Sequence, residues 1–338
     1  MKKKLLVLNT DPKEFSYGGV CPFMRNMHPY LAESFILDYM VLPDSWKKMP
    51  GSVRIYYLLY LFLHRKCLKK YDFILSHSVE GSYIASFSGV PYSHIYHGNS
   101  NPMLVGRFRI GKYFAFLYDK MFCRIEKTGS LLYTVGPTRN HKQKKLFNPL
   151  NQNVCPKPYH EREGFIFAGR LERIKNIDRL IVIYRKLPME IRKKHHFYIA
   201  GYGTLESKLK KQVEGSGLND DIIFLGSIPN SEMMKVDSGK KILLMASSAE
   251  GFPTAIAEAL SVGVPVVSTD VGDISSIIKS GENGILLPVD FNDEEYIDAI
   301  ETILGNYEIF SVNALNSSSV FNAEKITKEI TRDIYELL

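Results

Sequence analysis

Short apolar runs alternate with longer mixed segments along the whole chain. In the first half, five apolar runs predict strands, at residues 5–8, 35–41, 71–77, 93–97 and 130–135. Three segments have the apolar spacing typical of helices, at residues 23–34, 80–89 and 138–145. Residues 148–158 contain three prolines and interrupt this rhythm, which predicts a joint between two domains.

The second half repeats the rhythm more regularly. Six runs predict strands, at residues 164–168, 196–200, 222–225, 241–246, 265–268 and 284–287. Six helices are predicted, at residues 176–187, 205–214, 254–262, 274–280, 294–304 and 323–338. Alternating strands and helices predict an α/β chain with a doubly wound parallel sheet in each half. We expect two such domains to face one another, with ligands at the carboxyl ends of the strands.

Charge divides the chain close to the same joint. The 338 residues carry a net charge of +7, but residues 1–150 hold 22 Lys and Arg against 9 Asp and Glu, whereas residues 151–338 hold 21 against 27. Such asymmetry suggests that the first half meets an anionic partner, although two domains with unrelated surfaces would look the same. The apolar content of 45% excludes a disordered chain.

The cysteines and a few short segments indicate the cellular compartment and possible contact with a membrane. Four scattered cysteines indicate neither a metal site nor a disulfide framework, and the apolar run at residues 5–8 is shorter than a signal peptide requires. We therefore expect a cytoplasmic protein. Residues 54–71 and 107–127 combine aromatic and basic side chains, as interfacial helices on anionic lipid do. Core-facing helices with solvated basic ends are the alternative. No nucleic-acid-binding module accompanies the positive charge, so no such partner is expected.

The strongest candidate chemistry follows predicted strands of the second half. The strand at 164–168 is followed by Gly169, Arg170 and Lys175. Two cations on one loop could bind a diphosphate together. The alternative is that both are ordinary solvated surface charges. Gly201 and Gly203 predict a tight turn rather than a phosphate contact.

A second cluster lies around the predicted helix 254–262. Glu250 and Glu258 flank a turn of Gly251, Phe252 and Pro253, and Thr254 begins the helix, whose amino end attracts anions. One carboxylate could bind sugar hydroxyls and the other a ribose diol, since each accepts two hydroxyl bonds. The alternative is a capping acid plus a surface glutamate, which leaves the turn unexplained.

Other motifs are weak or missing. His97 ends a predicted strand beside a glycine, which alone is more typical of a structural histidine. The chain contains no Asp-x-Asp pair, no complete P-loop and no G-x-S-x-G sequence. We therefore expect no metal, no other cofactor and neither a P-loop NTPase nor a hydrolase of the nucleophile-elbow type.

Taken in order, these segments resemble the family-4 retaining glycosyltransferases (glycosyltransferase group 1) of the GT-B fold, of the bacterial surface-polysaccharide type. The resemblance spans most of residues 160–290 and rests on FAGRLERIKN, IAGYGTLE, FLGSIP, SSAEGFPTAIAEALSVGVPVVSTDVGD and SGENGILLPVD. It is thinner in the first half, at Gly18–Gly19, His97–Gly98 and Asn148–Pro149. Residues 273–276 depart from the family pattern, so we assign them no role.

The resemblance implies two Rossmann-like domains facing a central cleft. Residues 1–153 would bind the acceptor and residues 154–320 the nucleotide-sugar donor, and residues 321–338 would form a helix that crosses back to the first domain. Arg170 and Lys175 resemble the diphosphate clamp, and Glu258 resembles the ribose ligand. Further roles are implied for several residues: Glu250 with Gly251, Phe252, Pro253 and Thr254 for the transferred sugar, Gly18 and Gly19 for donor phosphate or acceptor, His97 for the sugar near the reacting carbon, Gly169 beside the clamp, and Gly226 and Ile228 for the base.

The activity implied is transfer of a hexose or N-acetylhexosamine, with retained configuration and no metal, from a nucleotide-diphosphate sugar. UDP is the expected carrier, and a lipid-linked or growing surface glycan, as in lipopolysaccharide, capsule or exopolysaccharide, is the expected acceptor. The basic first half would touch anionic lipid on the inner face of the cytoplasmic membrane. A soluble acceptor and a nucleotide-sugar epimerase of the same architecture are the alternatives. Donor sugar, linkage, pathway and oligomeric state are not predicted.

Overall fold

The computed structural model describes residues 2–10, 20–48, 52–97, 111–136, 138, 140–251 and 253–338. The chain divides into two compact units. Unit 1 comprises Met1–Asn151 and Ala323–Leu338, and unit 2 comprises Gln152–Asn322. Gly18, Gly19, Gly98 and Phe252, which belong to the predicted site or its motifs, lie outside the described residues.

Unit 1 is built on a parallel sheet with the order β2-β1-β3-β4-β5-β6. Its strands are β1 Lys3–Leu8, β2 Phe35–Met40, β3 Phe73–Ser76, β4 Tyr92–Tyr96, β5 Leu131–Thr134 and β6 Gln143–Lys145. Its described helices are Val20–Ser34, Asp44–Lys47, Val53–His64, Val79–Ala85, Gly111–Thr128 and Ala323–Tyr335. All residues of β3 and β4 are buried, as expected for strands covered by helices on both faces.

The last helix of the chain packs within unit 1. The buried Asp333 carboxylate accepts hydrogen bonds from the Tyr133 hydroxyl at 2.8 Å and the Lys144 ammonium at 2.7 Å. Near the carboxyl end of this helix, Tyr335 stacks on Phe35 and donates to the Ser34 carbonyl at 2.9 Å. These bonds attach the helix to residues that precede their partners by 189 to 301 positions in the chain.

Unit 2 contains a second parallel sheet, with the order β12-β11-β10-β7-β8-β9. Its strands are β7 Phe165–Ala168, β8 Phe197–Ala200, β9 Ile222–Gly226, β10 Ile242–Leu244, β11 Val266–Thr269 and β12 Gly284–Leu287. Its described α-helices are Ile177–Lys186, Met189–Lys194, Glu206–Gly215, Asn230–Asp237, Thr254–Ser261, Asp293–Gly305 and Tyr307–Ser317. Buried side chains on one face of this sheet, Phe165, Phe167 and Ile199 among them, form a core with buried residues of the helices that cover it, such as Tyr296.

Each sheet has a point at which the strand order reverses. In unit 1 the chain runs from β1 outward to β2 and then returns to the other side of β1 with β3. In unit 2 it runs from β7 through β8 to β9 and returns to the other side of β7 with β10. Ligands of open parallel sheets bind at such switch points, beyond the carboxyl ends of the strands. The loops after β1 and β3, and after β7 and β10, are therefore the places to look for function.

Two predicted helices are wrong. Residues 138–145 were expected to be helical, but Gln143–Lys145 forms edge strand β6, paired with β5. Residues 274–280 were also expected to be helical, and the structure has only a single 3-10 turn, Ile274–Ser276. There the Asn283 side chain accepts from the Lys279 amide and donates to the Ile277 carbonyl, which satisfies groups that a helix would have paired. The helices Met189–Lys194, Asn230–Asp237 and Tyr307–Ser317 were not predicted.

Candidate functional site

The loops after β7 and β10 are tied together at the switch point of unit 2. Asn176 has a left-handed backbone conformation (φ 49°), and its side-chain amide donates to the Ala246 carbonyl at 2.8 Å. The Ser248 amide donates to the Ile174 carbonyl at 2.8 Å. These two bonds hold the residues that follow each strand side by side.

Lys175 and Glu250 meet across this junction. The Lys175 ammonium contacts Glu250 Oε1, and the Ser247 hydroxyl donates to the same oxygen at 2.6 Å. Both side chains are largely buried, with exposed fractions of 13% for Lys175 and 8% for Glu250. Among the described residues nothing hydrogen-bonds to Glu250 Oε2, so one carboxylate oxygen remains available as an acceptor.

The backbone of Gly272 packs closely against the backbone of Glu250. Its φ of +65° is a conformation that favours glycine, and a Cβ at this position would lie 2.2 Å from the Glu250 carbonyl oxygen. The Ser247 carbonyl is fixed in turn by the Thr269 hydroxyl, 2.6 Å away at the end of β11. The loop that carries Glu250 is therefore supported by β11 and by the turn that follows it.

Arg170 stands on the same loop as Lys175 but in different surroundings. Its side chain is exposed and makes no hydrogen bond or ion pair with any described residue. The loop before it is held by the Gly169 amide, which donates to the Ala200 carbonyl at 3.0 Å. Of the two predicted cations, Lys175 is paired and Arg170 is available to solvent.

Gly201 and Gly203 allow the turn after β8 to approach this loop. A Cβ at Gly201 would lie 1.8 Å from the Gly169 carbonyl oxygen, and one at Gly203 would lie 2.5 Å from that of Leu171. Gly226, which ends β9, accepts from the Gly201 amide at 2.7 Å, and Ile228 follows it, half-buried. The turn therefore serves close backbone packing and brings the predicted base-facing segment to the same edge of the sheet.

The helix Thr254–Ser261 begins four residues after Glu250. Pro253 precedes it and, having no polar side chain, does not cap the first amides of the helix. Glu258 lies within this helix, and burial raises its pKa to about 8. Asp237, at the end of the helix Asn230–Asp237, is fully buried, and neither of its carboxylate oxygens has a hydrogen-bond partner among the described residues. Burial and the nearby Glu258 raise the pKa of Asp237 well above its usual value.

Unit 1 has a cavity of about 250 Å³ at its own switch point. It is lined by residues that follow β1, β3 and β4, among them Asn9, Thr10, His77 and His97. His77 Nδ1 lies 2.8 Å from His97 Nε2, and the two ring planes are inclined by 25° with centroids 5.1 Å apart. Burial lowers the pKa of His97 to about 4 and lowers that of His77 well below its usual value, so both imidazoles are neutral at pH 7.

One charged group, Arg54, stands among the described residues that line the same cavity. Arg54 donates to Glu80 Oε1 at 3.1 Å, and the Tyr118 hydroxyl donates to the same oxygen at 2.6 Å. Glu80 is buried, so the guanidinium compensates its charge. Sequence patterns identified His97 but none of His77, Arg54 or Glu80 as parts of a site.

No group of three or more His, Cys, Asp or Glu side chains in the described part of the chain could hold a metal ion. None of the described helices is long and apolar enough to cross a membrane.

Residues 156–314 match the family described as Glycosyl transferases group 1. The O-antigen chain mannosyltransferase B of Escherichia coli is 29% identical over 178 residues, which are 51% of this chain and 45% of that protein. The chain thus spans less than half the length of this curated relative.

Two solved structures resemble the whole chain. Anabaena Alr3699/HepE in complex with UDP has a TM-score of 0.72 at 16% identity, covering 98% of this chain and 100% of that one. Sucrose-phosphate synthase from Thermosynechococcus elongatus has a TM-score of 0.77 at 15% identity, covering 99% of both chains. With its two parallel-sheet Rossmann-like units, the protein has the GT-B fold of these structures, as the sequence predicts.

Proposed function

We propose that the protein is a retaining glycosyltransferase that moves a hexose or N-acetylhexosamine from a nucleoside diphosphate sugar to a hydroxyl of a surface glycan. The observation that carries the proposal is the cluster of Lys175, Glu250 and Ser247 at the switch point of unit 2, inside the segment that matches the group-1 glycosyltransferases. UDP is proposed as the carrier because HepE was solved with UDP. An O-antigen mannosyltransferase among the relatives supports a polysaccharide acceptor.

The groups around this cluster suit a departing diphosphate. Negative charge grows on the diphosphate as the bond to the sugar breaks, and fixed positive groups stabilise that charge. Lys175, the exposed Arg170 and the uncapped helix beginning at Thr254 would supply them without a metal. In the proposed reaction the leaving phosphate oxygen takes the proton of the acceptor hydroxyl, so no separate protein base is needed.

Glu250 would hold the transferred sugar. Its Oε1 is fixed by Lys175 and Ser247, which leaves Oε2 to accept a sugar hydroxyl. Glu258 is proposed to bind the ribose diol, and the segment of Gly226 and Ile228 to face the base. The predicted roles of Gly18, Gly19 and Phe252 remain proposals of the same kind.

Replacing Lys175 or Glu250 tests the proposal. We expect Lys175→Ala and Glu250→Ala each to lower turnover of a UDP-sugar by about a hundredfold or more, because each removes a group fixed at the reacting centre. Turnover is measured as release of UDP with membrane glycan as acceptor. Lys211→Ala, an exposed lysine of the same unit that forms no ion pair with the described residues, is the matched control.

Loss of fold must be separated from loss of chemistry. Removing one member of a buried ion pair leaves an unpaired charge, which can cost about 3–5 kcal/mol of stability. The double variant Lys175→Met with Glu250→Gln removes both charges, and we expect it to regain stability but not activity. Near-normal turnover in either single variant would disprove the assignment.

The acceptor side is proposed to contact anionic membrane through unit 1. Ile55, Leu59, Phe62 and Leu63 are exposed on the helix Val53–His64. Exposed Arg65, Lys66, Lys69 and Lys70 follow directly. An apolar face beside a basic end is the combination that binds an anionic lipid surface. A lipid-linked acceptor on the inner face of the cytoplasmic membrane is proposed on this basis.

A further inference from the structure

Two histidines occupy equivalent places on neighbouring strands of unit 1. His77 is the residue immediately after β3, and His97 is the residue immediately after β4. These strands are adjacent and parallel, so both side chains arise at the carboxyl edge of the sheet. The sequence motifs assign a role to His97 alone, and His77 has none in the proposed function.

The surroundings hold both rings in place. Phe23 packs edge-on against each of them, with centroid distances of 5.6 Å to His77 and 5.0 Å to His97. His77 is only 7% exposed, and its own amide donates to the Leu8 carbonyl at 2.9 Å. His94, which also lines the cavity, bonds the Ser82 hydroxyl at 2.7 Å instead of joining the pair.

The bond between the imidazoles restricts their tautomers. Because both rings are neutral at pH 7, one of the two facing nitrogens carries a proton and the other does not. If His77 Nδ1 donates, His97 must carry its other proton on Nδ1, and His77 Nε2 is an acceptor. If His97 Nε2 donates, the two outer roles are exchanged. In both cases the pair offers one donor and one acceptor, so the tautomer of His97 is tied to that of His77.

We propose that His77 is a positioning residue for His97: through the 2.8 Å imidazole–imidazole bond it fixes the ring and tautomer with which His97 meets a ligand hydroxyl in the cavity of unit 1. A hydroxyl both donates and accepts, so it matches the two outer nitrogens, whereas an anion would need two donors. Arg54, the charged group on the cavity wall, is already paired with Glu80. This inference rests on the proposed glycosyl transfer, in which the ligand is a sugar.

Substitutions of His77 separate this role from a purely structural one. An asparagine amide can replace the imidazole Nδ1, which is the atom that His77 uses, whereas phenylalanine keeps the ring shape and loses both nitrogens. We expect His77→Phe to lower kcat by about tenfold to a hundredfold, which is the effect of losing one or two hydrogen bonds in the transition state. KM for the donor should stay within about threefold, because the loss raises the activation barrier and does not weaken donor binding. His77→Asn should recover most of kcat.

His28→Phe is the matched control. His28 is a partly buried imidazole of the same unit that bonds the Tyr39 hydroxyl at 2.7 Å and does not line the cavity. It should behave as the wild type. The double variant His77→Phe with His97→Phe should be no worse than His97→Phe alone, because the two residues act as one unit. Additive losses, or equal losses in His77→Phe and His77→Asn, would overturn the proposal.

A readout independent of turnover is the ¹⁵N spectrum of the histidine rings. We expect His97 to be neutral and in one tautomer at pH 7 in the wild type, and to become a mixture of tautomers in His77→Phe. An unchanged His97 signal in that variant contradicts the proposal, even if every donor sugar fails to turn over. Failure of turnover in the wild type together with the expected spectra would instead contradict glycosyl transfer and leave the positioning role intact.

Discussion

At the residue scale, the carboxylates of unit 2 differ in how their charge is compensated. Glu250 is paired with a lysine and a serine hydroxyl. Asp237 lies near Glu258 and is fully buried, and its carboxylate has no hydrogen-bond partner among the described residues. Lys240 is the cation that partly offsets the rise in the pKa of Asp237. Burial raises the pKa of both acids, so the stability of this part of unit 2 should depend on pH.

The free energy of unfolding of unit 2 should change with pH because these two pKa values are raised. The folded-state pKa of both Asp237 and Glu258 is raised, to about 8 for Glu258, so the folded state binds more protons than the unfolded state as pH rises above about 4.5. Stability is therefore lost between about pH 4.5 and 8. At pH 8 we expect Asp237→Asn to unfold at a higher urea concentration than the wild type, with a free energy of unfolding larger by about 1–3 kcal/mol. At pH 4 we expect no such gain in stability.

Urea unfolding of both proteins at the two pH values gives the comparison. Buried histidines, whose lowered pKa values act in the opposite direction, contribute equally to both proteins and cancel in the difference. A gain for Asp237→Asn that is the same at pH 4 and pH 8 would show that Asp237 does not hold a proton in the folded state.

Single residues were predictable where local sequence controls them. His97 stands between a strand and a glycine, and Glu250 precedes the start of a helix, so both could be singled out from the sequence. The pairing of His77 with His97 depends on β3 and β4 being neighbours, which no local pattern shows. The contact of Lys175 with Glu250 likewise depends on β10 returning beside β7.

At the scale of elements, the helix Val53–His64 is the clearest exposed apolar surface of unit 1. Phe62 is 50% exposed and Leu63 is 64% exposed, and the Arg65 guanidinium stacks over the Phe62 ring. Tyr57 and Leu61 are fully buried on the opposite face. The helix is therefore anchored in the core of unit 1 while it presents apolar side chains outward.

Vesicle sedimentation tests whether that surface meets lipid. We expect the wild type to sediment with phosphatidylglycerol-containing vesicles at low salt, and the double variant Phe62→Ser with Leu63→Ser to bind about tenfold more weakly, because inserted apolar area drives interfacial binding. Ile309→Ser with Val312→Ser removes two equally exposed apolar side chains of unit 2 and should have no effect. Wild-type protein that stays in the supernatant would favour a soluble acceptor.

Predicted elements failed where tertiary contacts overrode local preference. Strand β6 is polar, and pairing with β5 alone makes it a strand. The helix Tyr307–Ser317 contains Asn, Ser and Val, which are weak helix formers, so it was not predicted. Its buried residues Tyr307, Phe310, Ser311 and Ala314 nevertheless have helical spacing, and their burial against unit 2 stabilises the helix.

At the scale of the whole molecule, both candidate sites lie where a sheet reverses its strand order. The alternation of strands and helices predicts two parallel sheets, but the order of strands, and hence the switch points, comes only from the fold. Once the order is known, the cluster after β7 and β10 and the cavity after β1 and β3 occupy the places where such sheets bind ligands.

Thermal unfolding with and without nucleotide tests whether unit 2 binds a nucleoside diphosphate through Lys175. We compare the wild type, Lys175→Met and the control Lys211→Met with saturating UDP, and with GDP, ADP and CMP. A ligand present at about a hundred times its Kd stabilises the native state by about 2.7 kcal/mol, which raises Tm by roughly 5–10 °C for a unit of this size. We expect this shift with UDP in the wild type and in Lys211→Met, and little of it in Lys175→Met. A wild type that no nucleotide stabilises, or an equal shift in Lys175→Met, would contradict binding through Lys175.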